Sequence, residues 1–301
     1  MIGQRGATQG TRVTRVRTGG AAKGGRDSEA AAPHESSVDV TRQTDKDSLA
    51  VEEPFEIRLS WADGQGRRVE PLAVTMRTPG ADFELAAGFL HGEGIVRAAE
   101  DVVELTYCSG PEEQEYNVVE VRLRPGLSVD MEALRRNVYT TSSCGVCGKA
   151  SLEAVAAIGC TPLEAGPSLD AAVVAELPDV LRRRQSVFAR TGGLHAAGVF
   201  SATGDARVVM EDVGRHNAVD KAVGRLFLDG KLPASDAVLV VSGRASFELV
   251  QKAVAAGIPA LVAVGAPSSL AVDLARTFRQ TLVGFARDGG FNVYAGEERI
   301  A

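Results

Sequence analysis

The order of apolar segments predicts an α/β fold: a three-layer α/β/α mixed-sheet domain with a smaller N-terminal α+β domain ahead of it. Two observations carry this reading. In the second half of the chain, short apolar runs such as Ala237-Val-Leu-Val-Val241 and Ala260–Val264 are each followed by a stretch with helical spacing. Runs of that length read as strands buried on both faces, with helices above and below. Between Phe55 and Leu123 apolar and polar residues alternate instead, the pattern of strands with one face in the core.

Composition sets the outer bounds. A chain of 301 residues with 45% hydrophobic content can fill one large core or two modest ones. No apolar run reaches the ~20 residues of a membrane span, so no membrane partner is expected. Met1 to Gly25 lacks the hydrophobic centre of a secretory signal. Four cysteines are too few for a disulfide scaffold, so a cytoplasmic, reducing location is expected. The formal charge of −6 provides no overall basic field for nucleic acid. Residues 1–47 are rich in Gly, Ala, Ser, Thr and Arg, and such a segment buries too little to offset its ordering entropy. It is expected to be a disordered tail.

Order begins near Ser48. Phe55, Ile57, Leu59 and Trp61 alternate with polar residues, and Gly64 and Gly66 turn the chain into a partner strand carrying Leu72, Val74 and Met76. Thr78-Pro79-Gly80-Ala81 stops that strand, and Asp82 is placed to cap a helix with Phe83, Leu85, Ala86, Ala87, Phe89 and Leu90 as its apolar positions. Strands near Val102–Tyr107 and Asn117–Leu123 and a brief helix around Asp130–Arg135 complete a unit over residues 48–137. The α/β unit spans 138–301. It opens on a helix after Lys149, then Ser168 can cap a helix that Pro178 interrupts. A hairpin joins Ala197–Ser201 to Ala206–Met210 through Thr203-Gly204-Asp205. Beyond it follow a helix over His216–Leu228, the strand Ala237–Val241, the helix Phe247–Ala256, the strand Ala260–Val264, the helix Leu270–Phe278 and a last strand, Leu282–Ala286.

The chemistry centres on Cys144-Gly145-Val146-Cys147, which lies between a β-branched, small polar run and a helix-forming stretch. A thiol at a helix start meets unpaired N–H groups and the positive end of the helix dipole, and Lys149 adds a full charge. These favour the thiolate, which is the nucleophile. A structural zinc site needs two more ligands near by, whereas Cys108 and Cys160 stand alone and the four histidines are scattered. A dithiol redox site of the thioredoxin kind belongs after an early strand, not in mid-chain.

Three loops combine glycine with charge at predicted strand ends, where open α/β sheets bind ligands. They are Thr191-Gly-Gly-Leu-His195, Glu211-Asp-Val-Gly-Arg-His-Asn217 and Val241-Ser-Gly-Arg-Ala-Ser246. Ser242-Gly243-Arg244 offers helix-start amides beside a guanidinium, which suits a phosphate group. His195 is followed by Ala196-Ala197, so the His-x-Glu of zinc deaminases is missing, and the Cys pair has no preceding proline.

Six motifs occur in order: Ser48–Leu59, Glu84–Leu90 with Glu93-Gly94-Ile95, Ser143-Cys-Gly-Val-Cys-Gly148, Gly192-Gly-Leu-His195, Glu211–Ala218 and Val283-Gly-Phe-Ala-Arg287. Together they resemble the FdhD family, the formate dehydrogenase accessory sulfurtransferases, from about residue 48 onward. The resemblance implies a cytidine-deaminase-like α/β domain without the deaminase site, usually as a homodimer. It implies a sulfur carrier: a cysteine desulfurase loads sulfane sulfur, which passes to the molybdenum bis-(molybdopterin guanine dinucleotide) cofactor destined for formate dehydrogenase. The persulfide falls on Cys144, with Cys147 as its partner. The family's cofactor-binding segment maps onto Phe285, Ala286, Arg287, Asp288, Gly289 and Gly290. Arg244 and Arg287 are candidates for the phosphates, and His195 and His216 for proton transfer. The cofactor is a client, and no permanently bound metal is expected. The competing readings are a chaperone that binds this cofactor without sulfur transfer, and a zinc-binding structural domain.

Overall fold

The computed structural model describes residues 6–18, 40–62, 64, 66–108, 116–127, 129, 131, 155, 159–163 and 166–301. The second unit is built on six strands: β7 (His195–Ser201), β8 (Ala206–Asp212), β9 (Ala237–Val241), β10 (Ala260–Ala263), β11 (Thr281–Arg287) and β12 (Gly290–Ala295). Their order in the sheet is β12-β11-β10-β9-β7-β8. β9, β10 and β11 are parallel, and antiparallel neighbours flank them on both sides. The sheet is therefore mixed, as the sequence predicts.

Alternation along the strands sorts side chains into two cores. Val238 and Val240 of β9 join Val262 and Val283 against Val174, Leu177 and Leu181 of the helix Ala171–Arg183. Leu239 and Val241 point the other way, into a core with the helices Arg215–Leu228, Phe247–Ala255 and Ser269–Thr277. Helices on both faces of one sheet give the three layers. In chain order we call the helices α1 (Asp82–Gly92), α2 (Ala171–Arg183), α3 (Ser186–Thr191), α4 (Arg215–Leu228), α5 (Phe247–Ala255) and α6 (Ser269–Thr277).

The smaller unit holds β3 (Glu53–Ala62), β4 (Arg67–Arg77), β5 (Val102–Tyr107) and β6 (Val118–Leu123), ordered β4-β3-β6-β5, with α1 packed on the sheet. Phe55, Ile57 and Leu59 of β3 are the buried half of the predicted alternation. Phe227 of α4 inserts into this smaller core, so α4 serves both units.

Where α1 and α4 cross, their backbones touch. A Cβ on Gly88 would lie 1.9 Å from the Asp220 carbonyl oxygen, and one on Gly224 would lie 1.8 Å from that of Glu84. Only glycine at both places lets the helices approach this closely. Beside the crossing, His91 contacts the carbonyl oxygens of Val96 and Ala255, at 3.2 and 3.0 Å.

Several expectations are corrected. The tail was expected to be disordered through residue 47, yet β1 (Thr8–Thr18) pairs antiparallel with β2 (Val40–Ala50) over eleven residues. Backbone pairing needs no large apolar residue, and Thr and Val at positions such as Thr11, Val13 and Thr14 favour extended chain. Asp82 does not cap α1. Ala81 is the cap residue, left-handed at φ 54°, because both Asp82 oxygens are held by Arg77 at 3.0 and 3.1 Å. The cap of α2 is Asp170, which accepts from Ala172 N at 2.7 Å, and not Ser168. Pro178 does not interrupt α2: it removes one backbone donor, while its ring sits on the buried face with Leu177 and Leu181. The strand β12 was not expected at all. The expected helices around Asp130–Arg135 and after Lys149, and the boundary near Asn137, lie outside the described residues.

Gly88→Ala and Gly224→Ala test the crossing. In an ordinary helix this change stabilises by roughly 0.5–1 kcal/mol. Here the added methyl meets backbone, so each variant should lose about 2–3 kcal/mol of unfolding free energy. A lower urea midpoint is expected, and a raised one would show that the helices can part without cost.

Candidate functional site

One edge of the large sheet gathers the predicted cofactor-binding residues. β7 begins there at His195, and β8, β9, β10 and β11 all end there. α4, α5 and α6 each start from that same edge, so their positive dipole ends and free N–H groups face it.

Backbone contacts tie the loops together. Ser242 N donates to the Ala196 carbonyl at 3.0 Å, and Ser242 Oγ accepts from Ala196 N at 2.8 Å. Gly265 N donates to the Gly243 carbonyl at 2.9 Å, and Phe285 N to the Gly265 carbonyl at 3.1 Å. Thus Ser242-Gly243-Arg244 and the start of the segment from Phe285 to Gly290, far apart in sequence, are neighbours through Gly265. Gly243 is also the wall against which His195 lies: a Cβ there would be 3.6 Å from His195 Nδ1 and 3.9 Å from Arg215 Cδ. Arg244 and Arg287 are exposed. Arg215 Nε is buried with no hydrogen-bond partner among the described residues.

The segment from Phe285 to Gly290 is the tip of the β11–β12 hairpin. Phe285 is exposed with φ 53°, Ala286 is buried towards α2, and Arg287 pairs with Gly290 across a two-residue turn. Asp288 and Gly289 have φ 53° and 75°, the positive angles that a tight hairpin turn needs. These two residues have a structural reason to be there whether or not a ligand binds. An Asp-Gly pair is the sequence signal that could have revealed β12.

The second glycine-charge loop divides its labour. Glu211 accepts from Val187 N and Phe188 N at 2.9 and 2.7 Å and so caps α3. Asp212, wholly buried, accepts from Lys221 Nζ at 2.6 Å, from Thr78 N at 3.1 Å and from Gly214 N at 2.8 Å. Asn217 Nδ2 donates to Asp212 at 3.0 Å and to the Met76 carbonyl at 2.7 Å. Asp212, Asn217 and Lys221 therefore lock the smaller unit to the larger one. Arg215 and His216, between them in sequence, are left for the sheet edge. Arg215 lies in a loop that the sequence singles out but is given no role of its own there; its signal was the position at the first turn of a helix directly after glycine.

Electrostatics differ between the two histidines. Burial pushes His195 below the ordinary imidazole range, and the positive charge of Arg215 and His216 pushes the same way. His216 Nε2 instead faces Glu248 Oε2 at 2.9 Å. The Glu248 carboxyl is held below its ordinary range, foremost by that hydrogen bond.

Cys144 and Cys147 lie outside the described residues. Of the other two cysteines, Cys160 is half-buried and its thiol is pushed up to about 11, foremost by burial, the reverse of an activated nucleophile. Among the described residues no cluster of three or more His, Cys, Asp or Glu is placed to hold a metal ion. No described helix is long and apolar enough to cross a membrane. An open cleft of about 890 Å³ lies on β8 and α4, lined by residues such as Arg207, Met210 and Arg225, and contains none of the predicted site residues.

Fold and site together define a two-unit α/β protein whose large mixed sheet presents cationic side chains and helix starts along one edge. Over residues 50–301 the chain matches the model of the FdhD/NarQ family. The chain belongs to that family. It is 56% identical over 263 residues to the sulfur carrier protein FdhD of Streptomyces avermitilis, covering 86% of this chain and 90% of that one. The protein of the same name from Mycobacterium tuberculosis is 51% identical over 268 residues, covering 85% and 93%. Among solved structures, one from Desulfotalea psychrophila described as a formate dehydrogenase accessory protein aligns with a TM-score of 0.65 at 27% identity, covering 86% of this chain and 94% of that one.

Two outcomes follow for the site. Asp212→Asn leaves Lys221 buried without its counter-charge and should cost about 3–5 kcal/mol of stability; a urea midpoint within error of the parent would refute the locking role. Burial also holds His91 below the ordinary 6.5, as it does His195. With both folded values depressed, the unfolded chain takes up protons first, so stability is full above about pH 6.5 and declines as pH falls below it. A His91→Gln, His195→Gln double variant should show a flatter urea midpoint between about pH 7.5 and 5.5; an unchanged slope would exclude these two side chains as its source.

Proposed function

We propose that the chain is a sulfur carrier acting in formate dehydrogenase maturation. The observation that carries this is its close similarity, along most of its length, to proteins named sulfur carrier protein FdhD. In this reading a cysteine desulfurase is the donor. The Cys144 thiolate attacks the outer sulfur of the donor's persulfide; the S–S bond breaks, the donor leaves as a thiolate, and Cys144 keeps the outer sulfur as its own persulfide. Cys147 is the second thiol of the pair. The sulfur is then passed, in the cytoplasm, to the molybdenum bis-(molybdopterin guanine dinucleotide) destined for formate dehydrogenase, with the carrier working as a homodimer.

The sheet edge supports the cofactor half of this reading. A pyrophosphate-bearing cargo is anionic, and Arg244, Arg287 and three helix starts supply positive charge and N–H donors on one side of the sheet. Ser242 and Gly243 keep the backbone low beside Arg244, and His195, whose charged form burial disfavours, lies against that floor. Phe285 adds an exposed aromatic face at the tip of β11.

Incubation with a cysteine desulfurase and cysteine should add the mass of one sulfur atom, removable by reductant, and Cys144→Ala should abolish it. The same variant should fail to restore formate dehydrogenase activity to cells lacking the carrier. A Cys144→Ala, Cys147→Ala protein that still restores it would replace the sulfur carrier with a cofactor-binding chaperone.

A further inference from the structure

His216 and Glu248 are the second residues of α4 and α5, and they meet across the start of both helices. His216 Nε2 lies 2.9 Å from Glu248 Oε2 and 3.3 Å from Ser246 Oγ. Four residues further along each helix a second pair forms: Lys252 Nζ donates to Asp220 Oδ1 at 2.6 Å. The two pairs are rungs of one ladder: the inner rung is an ion pair, and the outer rung becomes one when His216 is protonated. The inner rung is buried, and its Lys252 lies against Gly92 of α1, where an added Cβ would be 3.2 Å from Nζ. The outer rung is about one-third exposed, 32% for His216 and 33% for Glu248.

The inner rung already joins the helices. An ion pair as open as the outer one adds only about 0–1 kcal/mol, so stability is a poor reason for its geometry. What that geometry does fix is the ring. With Nε2 committed to the carboxylate, Nδ1 is the atom left over, and it has no hydrogen-bond partner among the described residues. Ser246 is the cap residue of α5, yet its side chain makes no capping bond; its hydroxyl is turned to His216 instead. Arg215, the preceding residue, has its Nε buried and unpartnered beside His195 and Gly243.

We propose that Glu248 is a positioning residue for His216, fixing the ring so that Nδ1–H is a pH-dependent donor to a phosphate-like group held at this sheet edge beside Arg215. The inference rests on the reading that this edge receives an anionic cargo, and it adds an acid-strengthened grip to it. The charged and titratable groups around the ring are Arg215 and Asp220 on its own helix, His195 at the start of β7, and Glu248 and Lys252 on α5. Arg215, Lys252 and a charged His195 carry the sign of a protonated ring, while Glu248 and Asp220 carry the opposite sign. Glu248 is the only one of these in hydrogen-bond contact with it.

Nitrogen-edited NMR of the full chain, titrated with sulfate, tests this. Sulfate is a tetrahedral dianion whose charge is constant over the range used. In the parent, His216 should hold its proton on Nε2 at about pH 8, and sulfate should bind roughly tenfold more tightly at about pH 6, the scale of one charge-assisted hydrogen bond. Glu248→Gln should mix the tautomers and cut the pH effect to below about threefold, and Glu248→Asp should restore part of it. His216→Ala should remove the pH effect and keep the weaker binding. Equal sulfate affinity at both pH values, no sulfate binding at either, or an unmoved tautomer in Glu248→Gln would each overturn the inference. Sulfur loading of Cys144 is read separately by mass. If Cys144 takes no sulfur while sulfate still shows this dependence, the sulfur-carrier reading fails and the His216–Glu248 pair stands.

Discussion

The structure depends on how closely α1 and α4 approach. Gly88 and Gly224 each lie within a methyl group's reach of the other helix's backbone, so the two units share a seam with no side-chain layer between them. Helices with side chains at the contact sit farther apart. Everything near the seam assumes the short distance: Phe227 crosses into the smaller core, His91 reaches the end of α5, and Lys252 lies against Gly92. The same crossing fixes α4 in rotation. That rotation turns Asn217 and Lys221 towards Thr78 and the end of β4, and sets Arg215 and His216 at the sheet edge.

The buried charges make the seam specific as well as tight. Asp212 is wholly buried, and a carboxylate there is tolerable only because a lysine, an asparagine and two backbone amides satisfy it. Arg77 plays the equivalent part on the smaller unit, held by Asp82, Glu53 and Asn117. Such networks add little net stability over an apolar contact of the same size, but each allows only one arrangement of its partners. The helix crossing supplies proximity, and the buried ions supply the register.

Much of this was legible in the sequence because it is local. The alternation of Phe55, Ile57 and Leu59 and the all-apolar β9 each announce a strand and its burial. The glycine-charge loops lie at strand ends, as their position after apolar runs implies. What failed depended on partners distant in sequence. Asp82 looks like a cap until Arg77 takes both its oxygens. Glu211 and Asp212 look like parts of a site until α3 and Lys221 claim them. β1 and β2 carry no core residues, so composition alone reads them as tail, while what orders them is an eleven-residue backbone ladder with an Arg15–Asp45 ion pair across it. The hairpin of β11 and β12 was missed for another reason: its Asp288-Gly289 turn was absorbed into a functional reading, although the dipeptide has a sufficient conformational one.

The division of labour inside Glu211–Asn217 explains how a chain of net negative charge keeps one positive edge. Its acidic side chains are spent inward, Glu211 on the amides of α3 and Asp212 on Lys221, while the basic residues that follow are carried to the start of α4. At the sheet edge the positive ends of three helices add to Arg215, Arg244 and Arg287, and the apolar body behind them confines the field to the solvent side. An acidic surround does not cancel such an edge at short range, because screening limits each surface charge to about 8–10 Å. An anionic cargo at the ends of the strands therefore meets these charges at close range. The positive character of the edge comes from where the fold sends its carboxylates as much as from where it leaves its arginines.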